Sequence, residues 1–168
     1  GMAYVQALKG SSDDIAALVE KNKKYYAGTE IAGKTLGVVG LGKIGVMVAN
    51  AARDLGMNVV GYDPFISVES AWGLSREVKR AESLDTLLNR SDYITLHMPL
   101  TSDTKGMLNE AKFKVMKKGA RVLNFSRGEI VNNADMAAAI KAGIVARYVT
   151  DFPDGEVLDM DKVIAVPH

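Results

Sequence analysis

Apolar residues in this chain fall into short, nearly unbroken runs at 36–39, 58–62, 93–96, 121–125, 145–149 and 163–166, separated by longer stretches with helical spacing. Runs of this kind, without strict alternation, predict strands buried on both faces. Between the first two, Ile44, Val48, Ala52 and Leu55 recur on one helical face, and Gly56 stands where that helix would stop. Asn109 is placed to cap a short helix through Val115, and Asn133 another that ends near Gly143. A weaker strand is expected at 77–79 and a helix at 83–88. Ahead of all this, Ser12, Asp13 and Asp14 precede Ile15, Leu18 and Val19, and Lys21, Lys23 and Lys24 follow. That is a capped helix whose charges suit its dipole. Strands alternating with helices require right-handed crossovers, so the expected fold is α/β, a doubly wound parallel sheet in three α/β/α layers.

Composition narrows the partners. At 168 residues, 48% hydrophobic and 24% charged, the chain can bury a real core. The expectation is one domain, with 1–32 as a helical lead-in and 33–168 as the core. Its 21 basic and 20 acidic residues leave a net charge of +1, which favours neither nucleic acid nor an anionic membrane surface. The absence of cysteine excludes disulfides and thiolate chemistry and fits the cytoplasm. No run approaches the length of a signal peptide core or a membrane span. With 2 histidines and no matched carboxylate spacing, no metal site is expected.

The stretch Gly40-Leu41-Gly42-Lys43-Ile44-Gly45 lies between the first strand and the amphipathic helix. Gly40 permits a tight turn, Gly42 lets backbone approach a pyrophosphate, and Gly45 allows close packing of helix on strand. The helix start then offers free amides and partial positive charge to an anion. Alone, such a loop is equally an ordinary glycine turn. Asp63, about 20 residues further on at the end of the second strand, is where a carboxylate can accept the ribose hydroxyls of an adenosine. By itself it is equally a turn residue before Pro64. With strand, loop, helix and acid in register, the reading is a Rossmann-type dinucleotide-binding fold. A carboxylate at Asp63 repels a 2′-phosphate, so NAD is expected in preference to NADP.

Other candidates follow later strands. Arg127 closes Asn124-Phe125-Ser126-Arg127-Gly128 at the carboxyl edge, where open sheets bind ligands. It could grip a carboxylate through its planar fork, or be a surface cation. Asp151 ends another strand, and Glu156 follows it. His97 and His168 each follow a strand, and a lone histidine is more often structural than catalytic.

From Gly28 to His168 the chain resembles the cofactor domain of the D-isomer-specific 2-hydroxyacid dehydrogenases. The resemblance rests on Gly33-Lys34-Thr35-Leu36-Gly37, the glycine loop, Tyr62-Asp63-Pro64, His97-Met98-Pro99-Leu100-Thr101, Asn124 to Gly128, and Pro167-His168. It implies an NAD-dependent oxidoreductase acting on a small D-2-hydroxy acid. Arg127 would bind the substrate carboxylate, Glu156 would support the catalytic histidine His168, and Asp151 would contact the nicotinamide amide. Met98, Pro99, Phe125 and Ser126 would line the cofactor cleft beside Gly40, Gly42, Lys43, Ile44, Gly45 and Asp63. It also implies a homodimer, and a substrate domain that this chain is expected to lack. Two departures stand out: Asp151-Phe152-Pro153-Asp154-Gly155-Glu156-Val157 keeps the family's acid spacing but not its flanks, and Glu129 occupies a common glycine position. Glyoxylate, hydroxypyruvate and D-lactate remain open as substrates, as does an NAD-sensing module without catalysis.

Overall fold

The computed structural model describes residues 2–10 and 14–168. It forms two compact units, Gly1–Glu30 and Ile31–His168. The first holds α1 (Met2–Ala7) and α2 (Ile15–Tyr26), and Asp14 caps α2 by accepting the Ala17 N–H at 3.2 Å. Ser12 and Asp13, also expected in this cap, lie outside the described residues.

The second unit alternates as expected: β1 (Thr35–Val39), α3 (Lys43–Asp54), β2 (Asn58–Tyr62), α4 (Val68–Gly73), β3 (Lys79–Arg80), α5 (Leu84–Arg90), β4 (Tyr93–Leu96), α6 (Glu110–Val115), β5 (Ala120–Asn124), α7 (Asn133–Lys141), β6 (Val145–Thr150), α8 (Gly155–Leu158) and β7 (Val163–Ala165). The strands form one seven-stranded parallel sheet in the order β3-β2-β1-β4-β5-β6-β7. The order reverses between β1 and β4, and every strand points its carboxyl end to the same edge. One face packs Val39, Ile94, Leu96, Val122 and Tyr148 under Leu87 and Leu88 of α5, Phe113 of α6 and Met136 and Ile140 of α7. On the other face, α3 brings Val46, Ala49 and Ala52 against Leu36, Val38 and Val59. The small side chains of Ala49 and Ala52 let the helix axis approach the strands.

Three expectations change. Double-sided burial holds for β1 and β4, whereas β5 and β6 alternate between buried and partly open positions, because no helix of this unit lies on their second face. The cap of α7 is Asn132, which accepts the Asp135 N–H at 3.1 Å; Asn133 begins the helix and turns its amide elsewhere. The edge strand β3 pairs at Lys79 and Arg80, not 77–79, with both side chains exposed. The short helices α4 and α8 and a 3₁₀ turn at Gly128–Ile130 were not anticipated. Of these, α4 buries no side chain, so no apolar stripe announces it. No helix among the described residues is long and apolar enough to cross a membrane.

Candidate functional site

The three glycines of the loop answer to different demands. Gly40 sits at φ +90, and a Cβ there would come within 2.5 Å of the His97 carbonyl oxygen at the end of β4. A Cβ on Gly45 would lie 2.0 Å from the Gly40 carbonyl oxygen. Protein contacts therefore fix both, and Gly45 serves the loop itself more than helix on strand. A Cβ on Gly42 would meet nothing within 4 Å. Gly42 is the N-cap of α3, no side chain caps it, and the first helical turn carries amides with no intrahelical acceptor. Lys43 and Ile44 are exposed beside it. An open approach to uncapped amides, at the switch point of the sheet, is a cradle suited to a pyrophosphate.

Asp63 does more than its sequence position suggested. One carboxylate oxygen accepts the Leu41 N–H at 2.8 Å and the other the Phe65 N–H at 2.8 Å. It ties the glycine loop to the end of β2, and each oxygen keeps a lone pair for a ribose hydroxyl. Beside it lies a cavity of about 290 Å³ lined by Leu41, Gly61, Pro64, Ile66, Leu74 and Val78, with Lys79 and Arg80 in the same wall. The residues present thus fit the adenosine and pyrophosphate of a dinucleotide.

At the β4 end, His97 bonds Thr95 Oγ1 through Nε2 at 2.9 Å, and burial holds its imidazole below the ordinary histidine range. Met98 is half-buried against the core, and Pro99 is exposed. At the β5 end, Phe125 is exposed, but Ser126 is buried and donates its hydroxyl to the Leu96 carbonyl. Arg127 is exposed, with Nη1 on the Ser126 carbonyl at 2.6 Å. Beneath it, fully buried Asn124 donates to the Arg127 carbonyl at 2.9 Å and accepts the Ser126 N–H at 3.1 Å. Asn124 also lies 3.4 Å from the Tyr148 hydroxyl, whose pKa burial raises. Asn124 and Tyr148 are the supports that sequence reasoning missed. A buried amide closing an apolar strand was the available signal.

The acids at the β6 end sort differently from expectation. His168 Nδ1 lies 2.7 Å from Asp151 Oδ2, and the Phe152 ring centroid is 4.7 Å from the imidazole. The other Asp151 oxygen is buried without a partner. Glu156 is not brought to His168; its Oε2 accepts the Asn133 amide at 3.2 Å, as does Asp154. No group of acids and histidines among the described residues could hold a metal ion. When protonated at Nδ1, His168 donates to Asp151 and leaves Nε2 as an acceptor, the form a proton-abstracting base needs.

Known proteins share this fold. Residues 2–168 match the family model described as D-isomer specific 2-hydroxyacid dehydrogenase, NAD binding domain. The chain is 43% identical over 153 residues to D-3-phosphoglycerate dehydrogenase of Archaeoglobus fulgidus, covering 87% of this chain and 28% of that protein. Among solved structures, apo D-mandelate dehydrogenase of Rhodotorula graminis superposes with a TM-score of 0.78 at 27% identity, over 98% of this chain and 50% of that one. An NAD complex of a D-isomer specific 2-hydroxyacid dehydrogenase from Lactobacillus delbrueckii ssp. bulgaricus gives 0.73 at 27% identity, over 86% and 48%. The chain therefore spans under a third of the curated relative and about half of the solved ones. Glycine cradle, strand-end acid, parallel sheet and these matches agree: the chain belongs to the D-isomer specific 2-hydroxyacid dehydrogenase family, as its NAD-binding domain.

Proposed function

We propose that this domain serves an oxidoreductase that moves hydride between NAD and a D-2-hydroxy acid, with 3-phosphoglycerate as the substrate, and that 33–168 is the unit that holds the cofactor. The substrate assignment draws on similarity to D-3-phosphoglycerate dehydrogenases. The observation that carries the chemistry is the contact of 2.7 Å between Asp151 and His168, at the same sheet edge as the glycine loop. In this reading Gly42, Lys43, Ile44 and Gly45 present the first amides of α3 to the pyrophosphate, and Asp63 takes the ribose. Met98, Pro99 and Phe125 line the cleft, while Ser126 acts from beneath it, anchoring the β5 turn. When bound, NAD supplies the hydride acceptor.

The chain's own residues supply the rest. Arg127 holds the substrate carboxylate through two parallel N–H bonds, which fixes the C2 hydroxyl in orientation. His168 takes the hydroxyl proton at Nε2, and the Asp151 carboxylate holds the opposite nitrogen and stabilises the imidazolium that forms. Glu156, held by Asn133, lies in the first turn of α8 and acts on the base only if that turn rearranges. The test is NADH formation by the natural protein that carries this chain, with D-3-phosphoglycerate, D-lactate and D-glycerate compared at equal concentration. The highest kcat/KM is expected for phosphoglycerate. A higher value for either other acid reassigns the substrate, and NAD binding without turnover of any would replace the enzyme with an NAD-sensing module.

A further inference from the structure

Asn124 closes β5 and Thr150 closes β6, and the two stand beside each other in the sheet. Tyr148, two residues back along β6, shares their face. Asn124 and Thr150 are 0% exposed and Tyr148 is 1% exposed. Apolar side chains would fill this part of the core with no hydrogen bonds to satisfy. Polar ones here lie directly under the two turns that carry Arg127 and Asp151, and their bonds run from one turn to the other. The Asn124 amide donates to the Arg127 carbonyl at 2.9 Å and to the Tyr148 hydroxyl oxygen at 3.4 Å, while its own oxygen accepts the Ser126 N–H at 3.1 Å. The Thr150 side chain is bonded to the same phenol oxygen, and Thr150 Oγ1 accepts the Phe152 N–H at 3.2 Å. Burial, with the charges of Asp154 and Asp151, keeps the phenol protonated.

The turns also touch above this chain of bonds. A Cβ on Gly128 would lie 3.3 Å from the Phe152 Cβ, and the Phe152 ring centroid is 4.7 Å from the His168 imidazole. A shift of one turn is therefore passed to the other and on to His168. We propose that Tyr148 is a positioning residue whose hydroxyl, through Asn124 and Thr150, holds Arg127 in register with the Asp151 and His168 pair. The proposal rests on the roles given above to Arg127 as carboxylate clamp and His168 as base. Clamp and base act on one substrate in that reading, so each must be held within about 0.5 Å of its productive place. Hydrogen bonds suit the task because they fix direction as well as distance, and a buried bonded set specifies one arrangement of the chain.

Tyr148→Phe in the natural protein that carries this chain removes the hydroxyl and keeps the ring. Amide exchange read by mass spectrometry is expected to quicken by about tenfold in both turns, 124–128 and 150–153, with the glycine loop 40–45 and NADH affinity unchanged. Thr150→Val, which cuts the chain of bonds on its other side, should act alike. For the hydroxy acid, kcat/KM should fall by about tenfold with Tyr148→Phe alone and by less when that change is added to Arg127→Lys, because both act on one interaction. Faster exchange in one turn only, or in neither, overturns the proposal. Fully additive losses in the double variant also overturn it, by making Tyr148 a packing residue. Absence of turnover in the unaltered protein overturns the proposed reaction and this role with it, whereas normal turnover in both the unaltered protein and Tyr148→Phe overturns this role alone.

Discussion

At the β1 and β2 end of the carboxyl edge, position is set by backbone; at the β5 to β7 end it is set by side chains on loops. Gly40 and Gly45 have no room for a Cβ, and Asp63 reaches its partners through two main-chain amides. Arg127, Glu156 and His168 are all exposed, and the bond between Asp151 and His168 joins two side chains on separate loops. The grip on a shared cofactor is thus built into the scaffold, while the groups proposed to meet a substrate stand on its rim. Loops after strands can vary without disturbing the sheet, which suits a family whose members act on different acids.

The largest effect expected from this contrast is at Gly45. Gly45→Ala puts a methyl group 2.0 Å from the Gly40 carbonyl oxygen, where backbone cannot yield cheaply. Overpacking of this severity costs about 3 kcal/mol or more. Loss of NADH binding by about 100-fold or more, with a lowered Tm, is expected by fluorescence titration and thermal melting. Retained affinity would mean that the loop is plastic.

Arg127→Lys probes the other end. Lysine keeps the charge and loses the planar fork, so kcat/KM in the natural protein should fall by about 100-fold, near 2.7 kcal/mol, while NAD affinity stays within about twofold. An unchanged kcat/KM would leave Arg127 as a surface cation. A parallel loss of NAD affinity would erase the division between the two ends.

A smaller effect separates the two acids. The chain has 2 histidines, so the imidazole nitrogens of His168 can be resolved by NMR. Asp151 stabilises the tautomer protonated at Nδ1, and Asp151→Asn should shift the population toward Nε2–H. Glu156→Gln should leave it unchanged, since Glu156 bonds Asn133. The opposite pattern would restore Glu156 as the partner of His168.

What the sequence revealed follows the same division. The glycine loop, α3 and Asp63 were legible because turn, helix period and strand end are local patterns. The bond from Asp63 to Leu41 was not, since it arises only when β2 lies beside β1. Asn124 looked like one member of a loop motif, and its contact with Tyr148 arises only when β6 lies alongside β5. Asn132 and Asn133 are both good caps, and residue type alone does not say which of two adjacent asparagines accepts the Asp135 N–H. The contact of His168 with Asp151 was not legible either: spacing places Asp151 and Glu156 close together, but here α8 turns Glu156 toward Asn133 of α7.

The central claim is that Gly42 and Asp63 form an NAD site, and Asp63 makes that claim specific. Lys79 and Arg80 in the adjoining wall could serve a 2′-phosphate, so the carboxylate must outweigh two cations. Calorimetric titration of the chain with NAD and with NADP decides it. NAD binding about tenfold or more tighter is the predicted result, equivalent to about 1.4 kcal/mol. Equal affinities, or tighter binding of NADP, would contradict it.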